Sequence, residues 1–369
     1  MRLDRRAGLL GAGAGAILAL AWLAGCGGSS GGGSGAAGRN AYVALPQGSA
    51  IAAFRVDPGS GDLTRVLGSP FAGGTSPVAT AIHPSGKFIY AANQGGNDIS
   101  LFTIDSNTGE LSEVLPRTPA GLNPSSLAMD ASGDLLFVTN ETSNSISVYS
   151  ISSSAGTLTE VSGSPFPTVG RPIAMALSPS GKFLYVVSAN LPLVFGYSVA
   201  SGTGSLAAVP GSPFAVDSGP SSLVVDPSEH FLFVSNFIAD TVSGLVIDST
   251  GALTAALDSP FAAGTGPISV TIHPSGKTLY VTNLGSNNIS VYSIDATTGA
   301  TTALENSPFS AGTGPVSATV DPAGMFLYVC NQSSKNITKF QIGQTTGGLP
   351  SSTIATTLNV APASLVFAK

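Results

Sequence analysis

The segment Ile268–Asn283 reads ISVTIHPSGKTLYVTN, and it decides the fold class of this chain. An apolar run is followed by a turn from His273 to Lys277, and then by a second run in which apolar residues alternate with others. Pro fits the second position of such a turn, and Gly tolerates the positive φ needed at its end. The segment therefore predicts two antiparallel strands joined by a tight turn.

The same turn recurs along the chain at a fixed interval. Its six copies begin 47 or 48 residues apart, at His83, Asp130, Ser178, Asp226, His273 and Asp321. A fixed period of this size is typical of a solenoid or a propeller. Each unit also contains a third alternating strand, as at Ile289–Ile294, and a weaker fourth strand that ends near Phe309. Four short strands per unit without a helical period predict the blade of a β-propeller.

Both chain ends are needed to count the blades. The aromatic second-strand position occurs seven times, at Tyr42, Tyr90, Phe137, Tyr185, Phe233, Tyr280 and Tyr328. No inner strand precedes Tyr42, and a lone inner strand is predicted at Ala363–Ala368. Joining the two would complete blade one and remove an open sheet edge. We therefore predict an all-β, seven-bladed propeller over residues 40–369, with four antiparallel strands per blade and blade one closed by the terminal strands.

The first 39 residues look like an export signal and a linker. A basic start precedes an apolar stretch from Ala7 to Ala24, as in a secretory signal peptide. Leu23–Cys26 resembles a lipoprotein signal-peptidase box, in which the cysteine is acylated. We predict a signal peptide over residues 1–25, lipidation at Cys26 and a Gly/Ser-rich tether over residues 26–39. An ordinary signal peptide and an uncleaved anchor are the alternatives.

Composition narrows the class of partner. The formal charge is −6 and only 9% of residues are charged, so a basic face for nucleic acid is not expected. Cys26 and Cys330 are the only cysteines, and acylation of the first would leave no disulfide. We predict an exported protein of the cell envelope, in the periplasm or at the outer membrane or cell surface. Its partners would be membrane lipid through Cys26, and a small sugar-acid-like molecule or an envelope protein.

The strings at His273–Lys277 and Tyr280–Asn283 resemble those of YVTN-repeat propellers. These are related to the 6-phosphogluconolactonase and carboxymuconate-cyclising lactonase family, and the resemblance covers roughly residues 40–369. It implies a ligand site over one mouth of the central channel. That mouth is formed by the loops between strands two and three and by the loops that lead from strand four into the next inner strand.

The lactonase relatives carry a Pro-Arg-His inner-strand start and a Glu after the second strand of the same blade. By resemblance, Ala174 and Ala189 occupy the His and Glu positions, whereas Arg171 survives, displaced by one residue. Glu141 follows Asn140 in the preceding blade. We predict Arg171 and Glu141 as catalytic candidates, because Arg can grip a carboxylate or phosphate and Glu can transfer protons.

An asparagine recurs at the end of the second strand in most blades. It could form a ring of ligand-binding amides, or it could cap a turn that recurs in each blade. The ligand-binding candidates are Asn93, Asn140, Asn236, Asn283 and Asn331. The three histidines of the chain fall in first turns on the opposite face, so no metal or cofactor is expected.

Three hypotheses follow for function. The first is a non-catalytic module that binds a ligand or a protein at the cell envelope, supported by the missing His and Glu. The second is a lactone hydrolase, similar to 6-phosphogluconolactonase, with a reorganised active site. The third is a structural protein of the surface-layer type.

Overall fold

The computed structural model describes residues 39–368, which form seven antiparallel sheets packed side by side in a closed ring. The seven-bladed all-β architecture is thereby confirmed. The predicted signal peptide, Cys26 and all but the last residue of the predicted tether lie outside the described residues. Within the described part of the chain, no helix is long and apolar enough to cross a membrane. The described residues also include one short 3-10 helix, at Pro46–Gly48.

The blades are built from four strand positions, counted from the channel outward. The inner strands of blades one to seven are Leu365–Phe367, Pro77–Ile82, Pro124–Met129, Pro172–Leu177, Pro220–Val225, Pro267–Ile272 and Pro315–Val320. The second strands are Arg39–Leu45, Phe88–Asn93, Leu135–Asn140, Phe183–Ser188, Phe231–Asn236, Thr278–Asn283 and Phe326–Asn331. The third strands are Ala50–Val56, Asp98–Ile104, Ser145–Ile151, Leu193–Val199, Thr241–Ile247, Asn288–Ile294 and Asn336–Gln341.

The outer strand differs from the single fourth strand that the sequence predicts. In five blades it consists of two pieces that pair with the same third strand: Leu63–Arg65 and Phe71–Ala72, Leu158–Glu160 and Phe166–Pro167, Leu206–Ala208 and Phe214–Ala215, Leu253–Ala255 and Phe261–Ala262, and Thr301–Ala303 and Phe309–Ser310. In blades two and seven the outer strand is continuous, at Leu111–Pro119 and Ser351–Thr357 respectively. A Ser-Pro pair separates the two pieces because Pro has no N–H for the ladder. The serine hydroxyl accepts a hydrogen bond from the third strand instead: the Val291 N–H donates to Ser307 Oγ at 2.9 Å.

In five of the seven blades, a tyrosine of the second strand joins the blade to the next one. In blade two, the Tyr90 hydroxyl donates to the carbonyl of Gly156 at 2.6 Å, in the hairpin between the third and outer strands of blade three. Equivalent bonds link Tyr42 to Gly109, Tyr185 to Gly251, Tyr280 to Gly347 and Tyr328 to Gly61. Blades three and five have Phe at this position and pack without the hydroxyl. The aromatic repeat is thus an inter-blade contact as well as a core residue.

Blade one is closed from both ends of the chain, as the sequence predicts. Tyr42 pairs with Val366 in an antiparallel ladder, and the Ala44 N–H donates to the carbonyl of Ser364 at 3.0 Å. The junction with blade seven contains the Tyr328 bond to Gly61 and a contact of Lys339 with the hairpin that contains Asp62. These contacts leave the sheet without an exposed inner edge.

The first turns form the face opposite the predicted site. His83 Nε2 lies 3.0 Å from the carbonyl of Gly133, and His273 Nε2 lies 3.0 Å from the carbonyl of Gly324, each in the next blade. His230 is on the same face and contacts Ser228. These histidines brace turns, far from the mouth. The remaining cysteine, Cys330, is buried in blade seven, and burial raises the pKa of its thiol to about 12.

Candidate functional site

A ring of equivalent residues surrounds the channel mouth on the loop face. Each follows the second strand of its blade, and its N–H donates to the carbonyl of the residue just before the inner-strand proline. For blades two to seven these ring residues are Gln94, Glu141, Ala189, Phe237, Leu284 and Gln332. The backbone frame is therefore constant from blade to blade, and the side chains alone set the chemistry of the mouth.

Arg171 and Glu141 form an ion pair across the junction of blades three and four. A terminal guanidinium nitrogen of Arg171 donates to Glu141 Oε1, and Gln94 Nε2 lies 3.5 Å from the other carboxylate oxygen. The Glu141 side chain is only 6% exposed, whereas that of Arg171 is 43% exposed. The carboxylate is thus covered and holds in place a cation that faces solvent.

A glycine shift explains how an arginine fits this frame. In the other five blades whose inner strand begins with proline, the residue just before it has a positive φ, such as Asn123 at 54° or Gly266 at 64°. In blade four the left-handed residue is Gly170, at 77°, one position earlier. A Cβ on Gly170 would lie 2.2 Å from Ser188 Oγ, so a larger residue does not fit. The Gly-Arg-Pro order places Arg171 at the ring, where its side chain reaches Glu141 of the preceding blade.

Burial and the ion pair act in opposite directions on Glu141. Burial raises the pKa of its carboxyl, because the charged form loses hydration, and Arg171 partly offsets this rise. A carboxyl with a raised pKa can accept and release a proton nearer neutral pH than an exposed one. The pair therefore combines a solvent-facing cation with a covered titratable acid.

Ala174 and Ala189, at the positions of the family's His and Glu, have no side chain that can transfer a proton. Ala174 is buried in the inner strand opposite Val187, and the Ala189 N–H donates to the carbonyl of Arg171 at 2.8 Å. The structure brings Arg171 and Glu141 together. It does not bring a histidine near them, since all three histidines of the chain lie in the first turns.

The recurring asparagines are buried and brace the loops of their own blades. Asn283 Nδ2 donates to Asn288 Oδ1 at 2.8 Å and to Ser290 Oγ at 2.9 Å, both on the third strand. The same i+5 and i+7 pattern holds for Asn93, Asn140, Asn236 and Asn331. All five side chains are fully buried. This geometry favours the turn-bracing alternative, and ligand binding by these amides stays a prediction.

The part of the mouth that follows blade four has a different character. Phe237 and Leu284 line a cavity of about 330 Å³ together with residues of four loops: Thr265 and Gly266, Gly285 and Asn287, Thr313 and Gly314, and Ser333. Sequence reasoning missed this cavity, because Phe237 and Leu284 look like ordinary apolar residues of strand ends. The signal that could have found it is their position directly after the second-strand asparagine, where Glu141 also lies.

The sequence matches the family model described as lactonase, 7-bladed beta-propeller, over residues 35–177 and 172–363. None of the curated proteins compared with the chain matches it.

Solved structures share the fold at low sequence identity. A protein of Bacteroides uniformis, described as a "putative 6-phosphogluconolactonase", has a TM-score of 0.80 and 19% identity, covering 90% of this chain and 100% of that one. A protein of Bacteroides fragilis with the same description has a TM-score of 0.79 and 21% identity, covering 92% and 100%. The periplasmic gluconolactonase of Pseudomonas aeruginosa has a TM-score of 0.76 and 20% identity, covering 90% and 99%.

Proposed function

Because the chain belongs to the lactonase family of seven-bladed β-propellers, we propose that its loop-face mouth binds a sugar acid or the corresponding lactone. Arg171 would contact the carboxylate of the acid or the carbonyl oxygen of the lactone. The observation that carries this proposal is the inter-blade pair in which buried Glu141 holds a half-exposed guanidinium at the mouth.

The pair suits an oxyanion better than a neutral sugar. A guanidinium has five N–H donors in a planar fork, and the bond to Glu141 leaves others free for a ligand. Bonds from a charged donor to a carboxylate are about twice as strong as neutral ones. Since Glu141 already fixes the orientation of Arg171, little side-chain freedom is lost on binding. Non-catalytic binding of such an anion is our leading interpretation.

Hydrolysis of the lactone at the same place is the second candidate. The solved relatives described as gluconolactonases fit it better than a purely binding role. Arg171 would polarise the lactone carbonyl, and Glu141 would take a proton from the attacking water and return it to the departing ring oxygen. The raised pKa of Glu141 suits both transfers. Against this, Ala174 and Ala189 replace the two reactive groups of the family pattern.

Calorimetric titration of gluconate, with a continuous hydrolysis assay on glucono- and 6-phosphoglucono-lactone, tests both candidates. We expect gluconate to bind the wild-type chain and Arg117→Ala, and binding to be lost in Arg171→Ala. Arg117 is the matched control because it pairs with Glu113 on the outer strand of blade two. We expect hydrolysis at the uncatalysed rate. Turnover that Arg171→Ala and Glu141→Gln both abolish would instead support the hydrolase, and binding that survives Arg171→Ala would contradict the proposed site.

The site would operate at the cell envelope, if Cys26 is acylated as the sequence predicts. The described propeller begins with the strand Arg39–Leu45, a short linker away from that cysteine. The Pseudomonas aeruginosa relative is described as periplasmic, which agrees with export. Cys26→Ser should move the folded protein from the membrane fraction to the soluble one, and an unchanged distribution would contradict the anchor.

A further inference from the structure

The chemistry around the mouth divides into two arcs. Three ring residues are polar: Gln332 of blade seven and, on the other side of blade one, Gln94 of blade two and Glu141 of blade three. Arg171 extends this arc into blade four. The next three ring residues are Ala189, Phe237 and Leu284, from blades four to six. Arg171 thus lies where the polar arc ends, and the Phe237–Leu284 cavity begins in the next blade along the same mouth.

The cavity is kept open by glycines. A Cβ on Gly266 would lie 3.0 Å from the Phe237 ring, and a Cβ on Gly314 would lie 2.5 Å from Ser333 Oγ. Both glycines also have positive φ, at 64° and 67°, so a side chain there would be strained. A side chain on Gly266 would therefore press on the Phe237 ring, and one on Gly314 would press on Ser333 at the other end of the lining.

The polar residues at the cavity are partly engaged within the loops. Asn287 Oδ1 accepts the Gly314 N–H at 2.7 Å, and the Thr265 N–H donates to Ser286 Oγ at 3.1 Å. What remains toward the space is largely the phenyl ring of Phe237, which is 8% exposed, and the Leu284 side chain. An apolar surface of this kind favours contact with an apolar group over contact with water. A volume of about 330 Å³ also falls within the range of small-molecule sites.

We infer that the ligand of this mouth is amphiphilic: a carboxylate or lactone head contacts Arg171, and an alkyl or aryl tail enters the Phe237–Leu284 cavity. This inference rests on the proposed function, since it takes the head-group site from it. It narrows the ligand class from polyhydroxylated sugar acids to acids and lactones that carry an apolar substituent.

Straight-chain carboxylates from butanoate to decanoate test the inference, titrated calorimetrically against the purified full chain with gluconate as the polar reference. We expect affinity to rise once the chain is long enough to enter the cavity, by about fourfold for each further methylene. The head alone should give butanoate and gluconate similar affinities.

Thr313→Trp fills the cavity, and Thr75→Trp is the matched control. Thr313 is exposed and lines the cavity, whereas Thr75 is exposed at the same loop position of blade two. The dependence on chain length should vanish in Thr313→Trp and persist in Thr75→Trp, with gluconate binding unchanged in both.

Two different failures are distinguishable. If gluconate binds through Arg171 but affinity is independent of chain length, the amphiphilic ligand is excluded and the anion site remains. If no carboxylate binds in an Arg171-dependent way, the proposed function itself is wrong, and the inference falls with it. Equal loss of chain-length dependence in both Trp variants would also overturn the role of the cavity.

Discussion

Three ion pairs join neighbouring blades within the described residues, and two of them are built in opposite ways. At the junction of blades three and four, the acid Glu141 is buried and the base Arg171 is half-exposed. At the junction of blades seven and one, the base Lys339 is 11% exposed and the acid Asp62 is 67% exposed. The acid is the buried member of the first pair and the base is the buried member of the second, and this difference decides which charge remains available to a ligand.

Lys339 directs two of its three ammonium donors into the protein. Its ammonium donates to the carbonyl of Ser60 at 2.7 Å and to Asp62 Oδ1 at 2.5 Å, and it lies 5.5 Å from the centre of the Phe326 ring. Arg171 is bound on one side and open on the other. The comparison teaches that a covered cation clips two blades together, whereas a covered anion can hold a cation ready for a ligand.

Among the changes considered, removal of residues 363–369 should disturb the junction of blades seven and one most. The deletion removes the ladder with Ala41–Val43 and the buried side chains of Leu365, Val366 and Phe367, worth about 1.5–3 kcal/mol each. Since domains are stable by only about 5–15 kcal/mol, we expect no cooperative thermal transition. An unchanged melting curve for the truncated chain would contradict closure by the C-terminal strand.

Lys339→Met should lower the free energy of unfolding by about 1–3 kcal/mol, because the Ser60 carbonyl and Asp62 lose a charged donor. Asp62→Asn, at the exposed end of the same pair, should cost less than about 1 kcal/mol. Urea denaturation of both variants gives the values. Equal losses would show that burial of the cation is not what strengthens the clip.

Tyr328→Phe should cost about 1 kcal/mol, because the carbonyl of Gly61 loses the tyrosine hydroxyl. Tyr90→Phe removes the same bond at the junction of blades two and three, and we expect an equal loss there. Chemical denaturation compares the two. A much larger loss for Tyr328→Phe would show that the closing junction depends on this bond more than an internal one.

The smallest effect on stability is expected at the mouth, and it depends on pH. Folding raises the pKa of Glu141, so the folded state binds this proton more tightly than the unfolded chain. Its contribution to stability is fully present below the unfolded pKa and is lost as pH rises through the folded pKa. Glu141→Gln should remove this dependence. Arg171→Ala removes the opposing charge and should extend the decline to higher pH.

Denaturation at several pH values between 4 and 8 measures the difference between wild type and each variant. Glu160→Gln, at an acid on an outer strand, is the control. A flat difference between wild type and Glu141→Gln would contradict a raised pKa at Glu141.

Most of the fold could be predicted from the sequence repeat. The fixed period, the Pro-Ser-Gly turn and the position of Tyr42 relative to Ala363 predicted seven blades and their closure. The division of the outer strand was not predicted. The proline of each Ser-Pro pair interrupts the ladder, and a serine hydroxyl replaces the missing bond, as where Ser307 accepts from the Val291 N–H, 16 residues away.

The site was harder to predict, for a geometric reason. Arg171 and Glu141 were each chosen from the sequence, but their contact joins two blades and 30 residues. Phe237 was not chosen, because an apolar residue at a strand end reads as core. Only the backbone frame of the ring shows that these side chains occupy equivalent positions around one opening.

That frame has a consequence for how such proteins diversify. The Gly170–Arg171 order turns an ordinary loop into one that presents a cation, and it does so without changing the length of the loop or the strands on either side. Six loops share the same hydrogen-bonded scaffold. Exchange of Gly and Arg between them would relocate the charge in steps of one-seventh of a turn. Ligand preference in this architecture can therefore evolve, or be engineered, by point substitution on an unaltered backbone.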